Sequence, residues 1–457
     1  MGPACDNEET LRKMMENGMN VARFNFSHGS YEEHLGRYNR VVKVRDELKL
    51  PVATLFDSKG PEIRFRLFEG SKVTINDGDL FTLTTREILG NNTIGSISYK
   101  NLINDVQIGT SILVNDGLIE LKVEKVGDTD IVCRVINGGV ISDRKAINVP
   151  GVHLSLPFLS DVDRRDLEFA MKTGFDFFAL SFVRCAEDVL EVRRLQKEHN
   201  NTSKLIAKIE SQEGVENLDA IIDVADGIMV ARGDMGVEIP FEKVPVVQKD
   251  MISKCLKSGK FVIVATQMLE SMTHNPRPTR AEVNDVANAI FDQTSAVMLS
   301  GESAAGDYPV EAVKTMSRIC HEIEKTTTTG KFEITYNGSN LASSIACAAC
   351  SIASVINADA IIPVSLSGST IRKVSGFRPN INIIGCSTNE RVCRETSLMW
   401  GVTPVLITEQ EDGEALINEV INKCKTAGVI KSGNRVVIVA GFPLRIAGAT
   451  NMIRVVD

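Results

Sequence analysis

No stretch of this sequence offers the ~20 uninterrupted apolar residues that a helix needs to cross a bilayer. Its most apolar segment, Leu341 to Val364, is broken by Ser343, Ser344, Ser351, Asn357 and Asp359, and it reads as a buried helix running into a strand. The opening residues do not read as a leader either. Met1-Gly2-Pro3-Ala4-Cys5-Asp6 has no basic region followed by an apolar one, and Asp6 stands where N-myristoylation requires Ser or Thr. The ten cysteines follow no spacing framework and read as reduced thiols. Cys347 and Cys350, the one close pair, sit in a small-residue helix and read as packing rather than as a metal or redox site. A basic excess is also lacking: the net charge of −8 argues against a nucleic-acid partner, so cations must act locally. These absences leave a cytoplasmic globular chain with no membrane partner. Its 43% hydrophobic and 24% charged residues are the balance of such a protein, and 457 residues allow about three domains.

Short apolar runs alternate with helical patterns over much of the chain. The runs are Asn20–Phe24, Pro51–Phe56, Phe175–Phe182, Lys204–Ile209, Gly227–Ala231, Phe261–Ala265 and Ser295–Leu299, followed by helical stretches such as Tyr31–Leu48 and Glu187–His199. A closed parallel barrel has eight strands, and here seven are preceded by a lone helix, expected to be capped by Asp6 with Glu9 and closed at Asn17-Gly18. Residues 65–154 instead show strict alternation between Asn, Asp and Gly turns, the pattern of an all-β insertion. From residue 331 a long helix leads to strands near Ala360–Val364, Ile381–Cys386, Thr403–Ile407 and Arg435–Ala440. The fold class is therefore α/β: a TIM-type parallel βα barrel without its first strand (1–64 and 155–330), an inserted β-barrel lid (65–154), and a C-terminal α/β domain (331–457). Thr326–Gly330 is the expected hinge.

In such barrels the reactive groups gather at the C-terminal ends of the strands, and all seven runs end in polar side chains. Lys208 and Glu210, two apart on one strand, share a face. A structural salt bridge is the plain reading. The functional one has Glu210, with Asp234 after the next strand, holding a hard divalent ion while Lys208 faces the charge that the ion binds. Two carboxylates with open positions suit Mg²⁺, and with no His or Cys in either motif zinc does not fit. The Arg232-Gly233-Asp234-Met235-Gly236 turn brings backbone N–H groups close to an anion. Thr266 is too weak an acid to protonate carbon unaided, but it can position a water or pass a proton along a chain.

These motifs resemble those of the pyruvate kinase family. The resemblance rests on Gly18 to Gly29 with Arg23, Asn25, Ser27 and His28, on Asp57-Ser-Lys-Gly-Pro-Glu62-Ile-Arg64, and on Leu205-Ile-Ala-Lys208-Ile-Glu210. It continues through Gly227 to Asp234, Ala265-Thr266-Gln-Met-Leu-Glu-Ser-Met272, Pro276 to Glu282 and Met298-Leu-Ser-Gly-Glu302. The resemblance implies phosphoryl transfer from phosphoenolpyruvate to ADP, giving pyruvate and ATP, with Lys208, Thr266 and Arg23 catalytic. Arg23, Gly233, Asp234 and Thr266 would contact phosphoenolpyruvate; Glu210 and Asp234 would bind Mg²⁺; Asn25, Ser27, Asp57 and Ser58 would bind K⁺, a role that Glu62 accompanies. Asn25, His28 and Arg64 would face the nucleotide. It further implies a homotetramer, a lid that excludes water, and a phosphorylated allosteric activator at Ser365, Ser367, Gly368, Ser369 and Thr370, with Arg445 in the facing loop. As a bare pattern that last segment is equally an ordinary helix N-cap.

Two departures accompany the resemblance. The family's opening strand is absent, which reads as an internal Met1 taken for a start, or as an open barrel edge that weakens folding or invites aggregation. Val162 stands where the family usually has Lys, with Arg164 or Arg165 as substitutes. The rival readings are a Mg²⁺-dependent phosphoenolpyruvate or oxaloacetate lyase or mutase, and a non-catalytic remnant.

Overall fold

Seven short strands lie side by side in chain order, each parallel to the next: β1 (Val21–Asn25), β2 (Ala53–Asp57), β3 (Phe177–Leu180), β4 (Lys204–Ile209), β5 (Gly227–Ala231), β6 (Phe261–Ala265) and β7 (Ala296–Val297). A computed structural model describes residues 1–326, 340–444, 446 and 449–457; Arg445 and all but the first residue of the expected hinge lie outside these. Helices cover the sheet, so β2, β3, β5 and β6 are buried along their whole length, and their sequences are correspondingly near-continuous apolar runs. Phe24, Phe26, Phe56 and Phe175 pack between the first strands and the Tyr31–Leu48 helix, with ring centroids 4.5 Å apart for Phe26–Phe56 and 5.2 Å for Phe24–Phe175. Register sets the strand ends level: Asn25 is the partner of Asp57, and Asp57 of Ala179.

Among the described residues no eighth strand pairs with β1 or β7. Met1 donates its amine to the Arg23 carbonyl at 2.5 Å, and Gly2 lies so close to Ala304 that a Cβ there would come within 2.5 Å of its carbonyl oxygen. The first residues thus touch β1 at one edge of the sheet and the helix Gly301–Ala304 that follows β7 at the other. The helix that follows, Glu8–Glu16, is capped by Asn7 and not by Asp6: the Asn7 side chain accepts from Thr10 N at 2.8 Å. Asp6 is drawn instead to Arg37 and Arg40 on the Tyr31–Leu48 helix, and Glu9 pairs with Lys13. A helix with two guanidiniums facing it outcompetes a local cap for the same carboxylate.

The insertion is an all-β unit with its own core. A seven-stranded sheet runs in the order Ile63–Arg64, Ala146–Asn148, Ser111–Val114, Ile119–Val126, Asp130–Asn137, Leu80–Thr84, Ile94–Ser96, and Lys72–Ile75 pairs with Gly139–Ser142 beside it. It returns to the barrel through Leu154 and Leu156, whose carbonyls both accept from Arg184.

The last unit is a five-stranded sheet in the order β10 (Val402–Leu406), β9 (Asn382–Ser387), β8 (Ala360–Pro363), β11 (Val436–Gly441), β12 (Thr450–Val456), parallel except for β12. The helix Leu341–Val355 leads into β8. Arg394 reaches the fully buried Asp176 at 3.0 Å and Arg391 reaches Ser203 at 2.9 Å, tying this unit to the segments that enter β3 and β4. The bound end of the barrel is thus its strand starts, which leaves the strand C-termini free for the inserted lid.

Candidate active site

Six strand ends supply the polar cluster at the mouth of the barrel. Lys208 projects from β4 and its ammonium lies 3.0 Å from Glu210 Oε1, 3.1 Å from Asp57 Oδ1 and 2.7 Å from Ser181 Oγ. Asp57, fully buried at the end of β2, also takes Nε of Arg23 from β1 at 2.5 Å. Glu210 accepts the Phe182 N–H at 2.6 Å. Asp234, in the short Arg232–Glu238 helix after β5, brings its carboxyl against Glu210. Thr266 follows β6 and takes the N–H of Gly233 on its Oγ1 at 2.9 Å, so Gly233 and Thr266 are linked.

Charge within this cluster does not balance. Arg23 and Lys208 are two cations; Asp57, Glu210 and Asp234 are three carboxylates. Burial alone would raise Asp57, but the Arg23 and Lys208 charges outweigh it and hold its carboxyl below the ordinary value. Burial works against the Lys208 ammonium too, and Asp57 and Glu210 overcome it, so Lys208 stays protonated. Glu210 is pushed up to about 7, by burial first, with Asp234 and Asp57 adding to it and Lys208 opposing. Asp234 is raised as well: its carboxylate reaches solvent but is crowded by protein, and Glu62 and Asp116 add negative charge that Lys208 does not cancel. The surplus therefore sits on the Glu210–Asp234 pair. Among the described residues no set of three or more His, Cys, Asp or Glu side chains forms a metal cage. Two oxygen ligands with unspent negative charge are what Mg²⁺ takes from a protein when a substrate supplies the rest.

The turn after β6 is strained. Thr266 and Gln267 hold φ of +69° and +54°, a region that costs side-chain-bearing residues about 1–3 kcal/mol each. Arg232 holds it in place, donating to the carbonyls of Ala265 (3.2 Å) and Thr266 (2.6 Å) while Asp285 anchors its other nitrogen at 2.7 Å. Thr266 passes its own hydroxyl proton toward the Ala265 carbonyl at 2.6 Å. Ser181, Arg184 and Arg232 end apolar runs in the sequence, which assigns them no task. Only a positive φ after an apolar strand explains the guanidinium of Arg232, and φ has no signature in a Thr-Gln pair.

The other sequence-derived residues fall around this cluster or away from it. Asn25 Oδ1 accepts from Ser27 N at 3.0 Å beside Asp57, and Ser58 Oγ accepts from Ser181 N at 2.9 Å. His28 is exposed at the rim; Arg64 is paired with Glu62 at 2.6 Å. Val162 is exposed, and Arg164 is committed to Glu191 while Arg165 lies near Tyr31 and Asp166. In the C-terminal unit Gly368, at φ +77°, starts the Ser369–Gly376 helix. Ser365, Ser367 and Thr370 line a cavity with Thr388, Glu409 and Gln410. Thr370 shares a 2.7 Å hydrogen bond with Thr450, and Ser367 is exposed.

Comparison with known proteins gives one consistent result. The family model "Pyruvate kinase, barrel domain" matches residues 1–313 and "Pyruvate kinase, alpha/beta domain" matches residues 343–456. A pyruvate kinase of Clostridium acetobutylicum is 46% identical over 460 residues, covering 100% of this chain and 97% of the relative. One of Staphylococcus aureus is 44% identical, covering 100% of this chain and 79% of the relative. A crystal structure of a pyruvate kinase from Cryptosporidium parvum superposes with a TM-score of 0.93 at 39% identity, covering 100% of this chain and 94% of that one.

Two expectations follow from the geometry. Arg232→Gln should loosen the turn it clamps: losing charged hydrogen bonds of about 1.5–3 kcal/mol speeds amide exchange across residues 265–269 by roughly 10- to 100-fold. Unchanged exchange would contradict the clamp. In the metal-free chain, an infrared titration of the Glu210 carboxyl, identified by its loss in Glu210→Gln, should show a midpoint near 7. Because the folded value exceeds the ordinary 4.5, the native state binds the extra proton between them. Its stabilising contribution is therefore complete below 4.5 and is lost as pH rises through about 7. A midpoint near 4.5 would refute the charge surplus.

Proposed function

The chain belongs to the pyruvate kinase family, and we propose that it runs that family's reaction, phosphoryl transfer from phosphoenolpyruvate to ADP, through the cluster around Lys208. It is a phosphotransferase yielding pyruvate and ATP, the last step of glycolysis. Matches to both the barrel and the C-terminal family models support this over a lyase, a mutase or a remnant. The observation that carries the residue assignment is the Lys208 ammonium, held between Asp57 and Glu210 with Asp234 alongside.

Phosphoryl transfer asks a protein for positioning and charge neutralisation more than for covalent chemistry. Lys208, kept protonated by its partners, is placed to stabilise the phosphoryl group in flight and the enolate left behind. Arg23 reaches the same space from β1 and would contact the phosphate of phosphoenolpyruvate, whose other contacts would be Gly233, Asp234 and Thr266. Glu210 and Asp234 would hold Mg²⁺, which supplies charge neutralisation on the substrate oxygens. Asn25, Ser27, Asp57 and Ser58, an all-oxygen set at adjacent strand ends, would hold K⁺, which adds a further positive charge. Thr266, its hydroxyl oriented by Gly233 N and the Ala265 carbonyl, would position a water or relay the proton that reaches the enolate carbon. Asn25, His28 and Arg64 would face the nucleotide.

The proposed domain division is 1–64 with 155–330 for the barrel, 65–154 for the lid and 331–457 for the C-terminal unit. The lid touches the barrel on the helix that carries Asp234, with Asn148 donating to Glu238 at 2.9 Å, and it would close over the nucleotide to exclude water. Ser365, Ser367, Gly368, Ser369 and Thr370 would bind the phosphate of an allosteric activator. A homotetramer in the cytoplasm is the assembly and location proposed; among the described residues no helix is long and apolar enough to cross a membrane.

A coupled assay for ATP formed from phosphoenolpyruvate and ADP tests the whole reading. The native chain should turn over, and Lys208→Met should fold yet lose on the order of 10²-fold or more in kcat. Near-native turnover of that variant would overturn the role given to Lys208.

A further inference from the structure

Between the strand starts of the barrel and the C-terminal unit lies a second, smaller cleft, lined by Lys260, Ser295, Arg372, Arg378 and Trp400. It faces away from the cluster around Lys208, at the opposite end of β6. Three cations border it and none is ion-paired among the described residues. Lys260 donates to the carbonyls of Ala225 (2.7 Å) and Asp223 (3.4 Å). Asp226, the carboxylate whose charge it feels most, is already held by Arg193 at 2.5 Å. Arg378 stacks over the Trp400 ring at 5.2 Å and donates to neutral oxygens only, those of Ser375, Gln293 and Ser295. Its Nε is buried without a hydrogen-bond partner. The Arg372 side chain has no hydrogen-bond or ion-pair partner among the described residues.

Grouping buried or half-buried cations without counter-ions is costly unless something supplies the missing charge. Burial alone pushes Arg378 down to about 9, and burial lowers Lys260 too, with Arg372 and Arg193 adding to the fall while Asp226 opposes it. The cleft is small and partly open to solvent, which favours a compact anion over a whole metabolite. Two guanidiniums and an ammonium suit a tetrahedral, multiply charged one, since the guanidinium fork matches phosphate oxygens. We propose that this cavity is a phosphate-binding site, separate from the catalytic cluster and from the cavity at Ser365–Thr370, and that its ligand bridges the barrel to the C-terminal unit. Lys260 and Ser295 belong to the first, and Arg372, Arg378 and Trp400 to the second.

The test uses the full chain with thermal unfolding followed in inorganic phosphate, in glycerol phosphate and in chloride at matched ionic strength, for the native protein, Lys208→Met and Arg372→Ala. The expected result is a saturable rise in midpoint with one or both phosphates that persists in Lys208→Met and needs at least about tenfold more ligand in Arg372→Ala, as loss of a charged hydrogen-bond donor implies. A rise with inorganic phosphate assigns the free ion, and one with glycerol phosphate alone assigns the phosphate end of a small metabolite; either supports the site. No rise beyond chloride, a rise abolished by Lys208→Met, or an equal response in Arg372→Ala would overturn it. Arg372→Gln, closer in size, gives the same readout should the alanine variant not fold.

Discussion

A lysine ammonium buried at the mouth of a barrel has to be surrounded by negative charge, and much of this molecule's geometry follows from that requirement. Lys208 is only 9% exposed, and an unpaired ammonium there would cost several kcal/mol. Its partners come from different strands: Asp57 from β2, Ser181 from after β3, Glu210 from its own. They meet only because parallel register sets those ends level. Once Asp57 is shared with Arg23, the remaining acids outnumber the cations, and the site is left electronegative beside a fixed positive charge. Such a place would suit a metal ion that carries a phosphate with it.

The same level register explains why so much of the architecture can be read from sequence. Buried parallel strands are apolar throughout, and Lys204–Ile209, Gly227–Ala231 and Phe261–Ala265 have the same limits in sequence and structure. The two-residue spacing of Lys208 and Glu210 puts both on one face by pleat alone. Elements that depend on distant partners are less legible. The strand Ile63–Arg64 is two residues long and exists through pairing with Ala146–Ile147, and β12 is an edge strand whose exposed Asn451, Arg454 and Val455 dilute its pattern. Asp6 illustrates the limit for caps: a local rule favours it, and two arginines from another helix decide otherwise.

Site residues divide in a similar way. Those that carry charge into the cluster announce themselves by type and position at strand ends. Those that hold others in place do not: Arg232 matters because Thr266 and Gln267 sit at positive φ, and Arg184 because the carbonyls of Leu154 and Leu156, where the chain leaves the lid, converge on it. The C-terminal unit grips the barrel at the strand starts through Arg391 and Arg394. Any ligand that tightened that grip would act on the end of the strands opposite to the cluster around Lys208.

The claim on which the account rests is that Glu210 and Asp234 together hold surplus negative charge that a divalent ion neutralises. Titration of the metal-free chain with Mn²⁺, followed by the electron paramagnetic resonance of the free ion, measures this directly. The account predicts one tight site in the native chain, weakened about tenfold or more in Glu210→Gln and in Asp234→Asn alike. Equal affinity in all three proteins would contradict it.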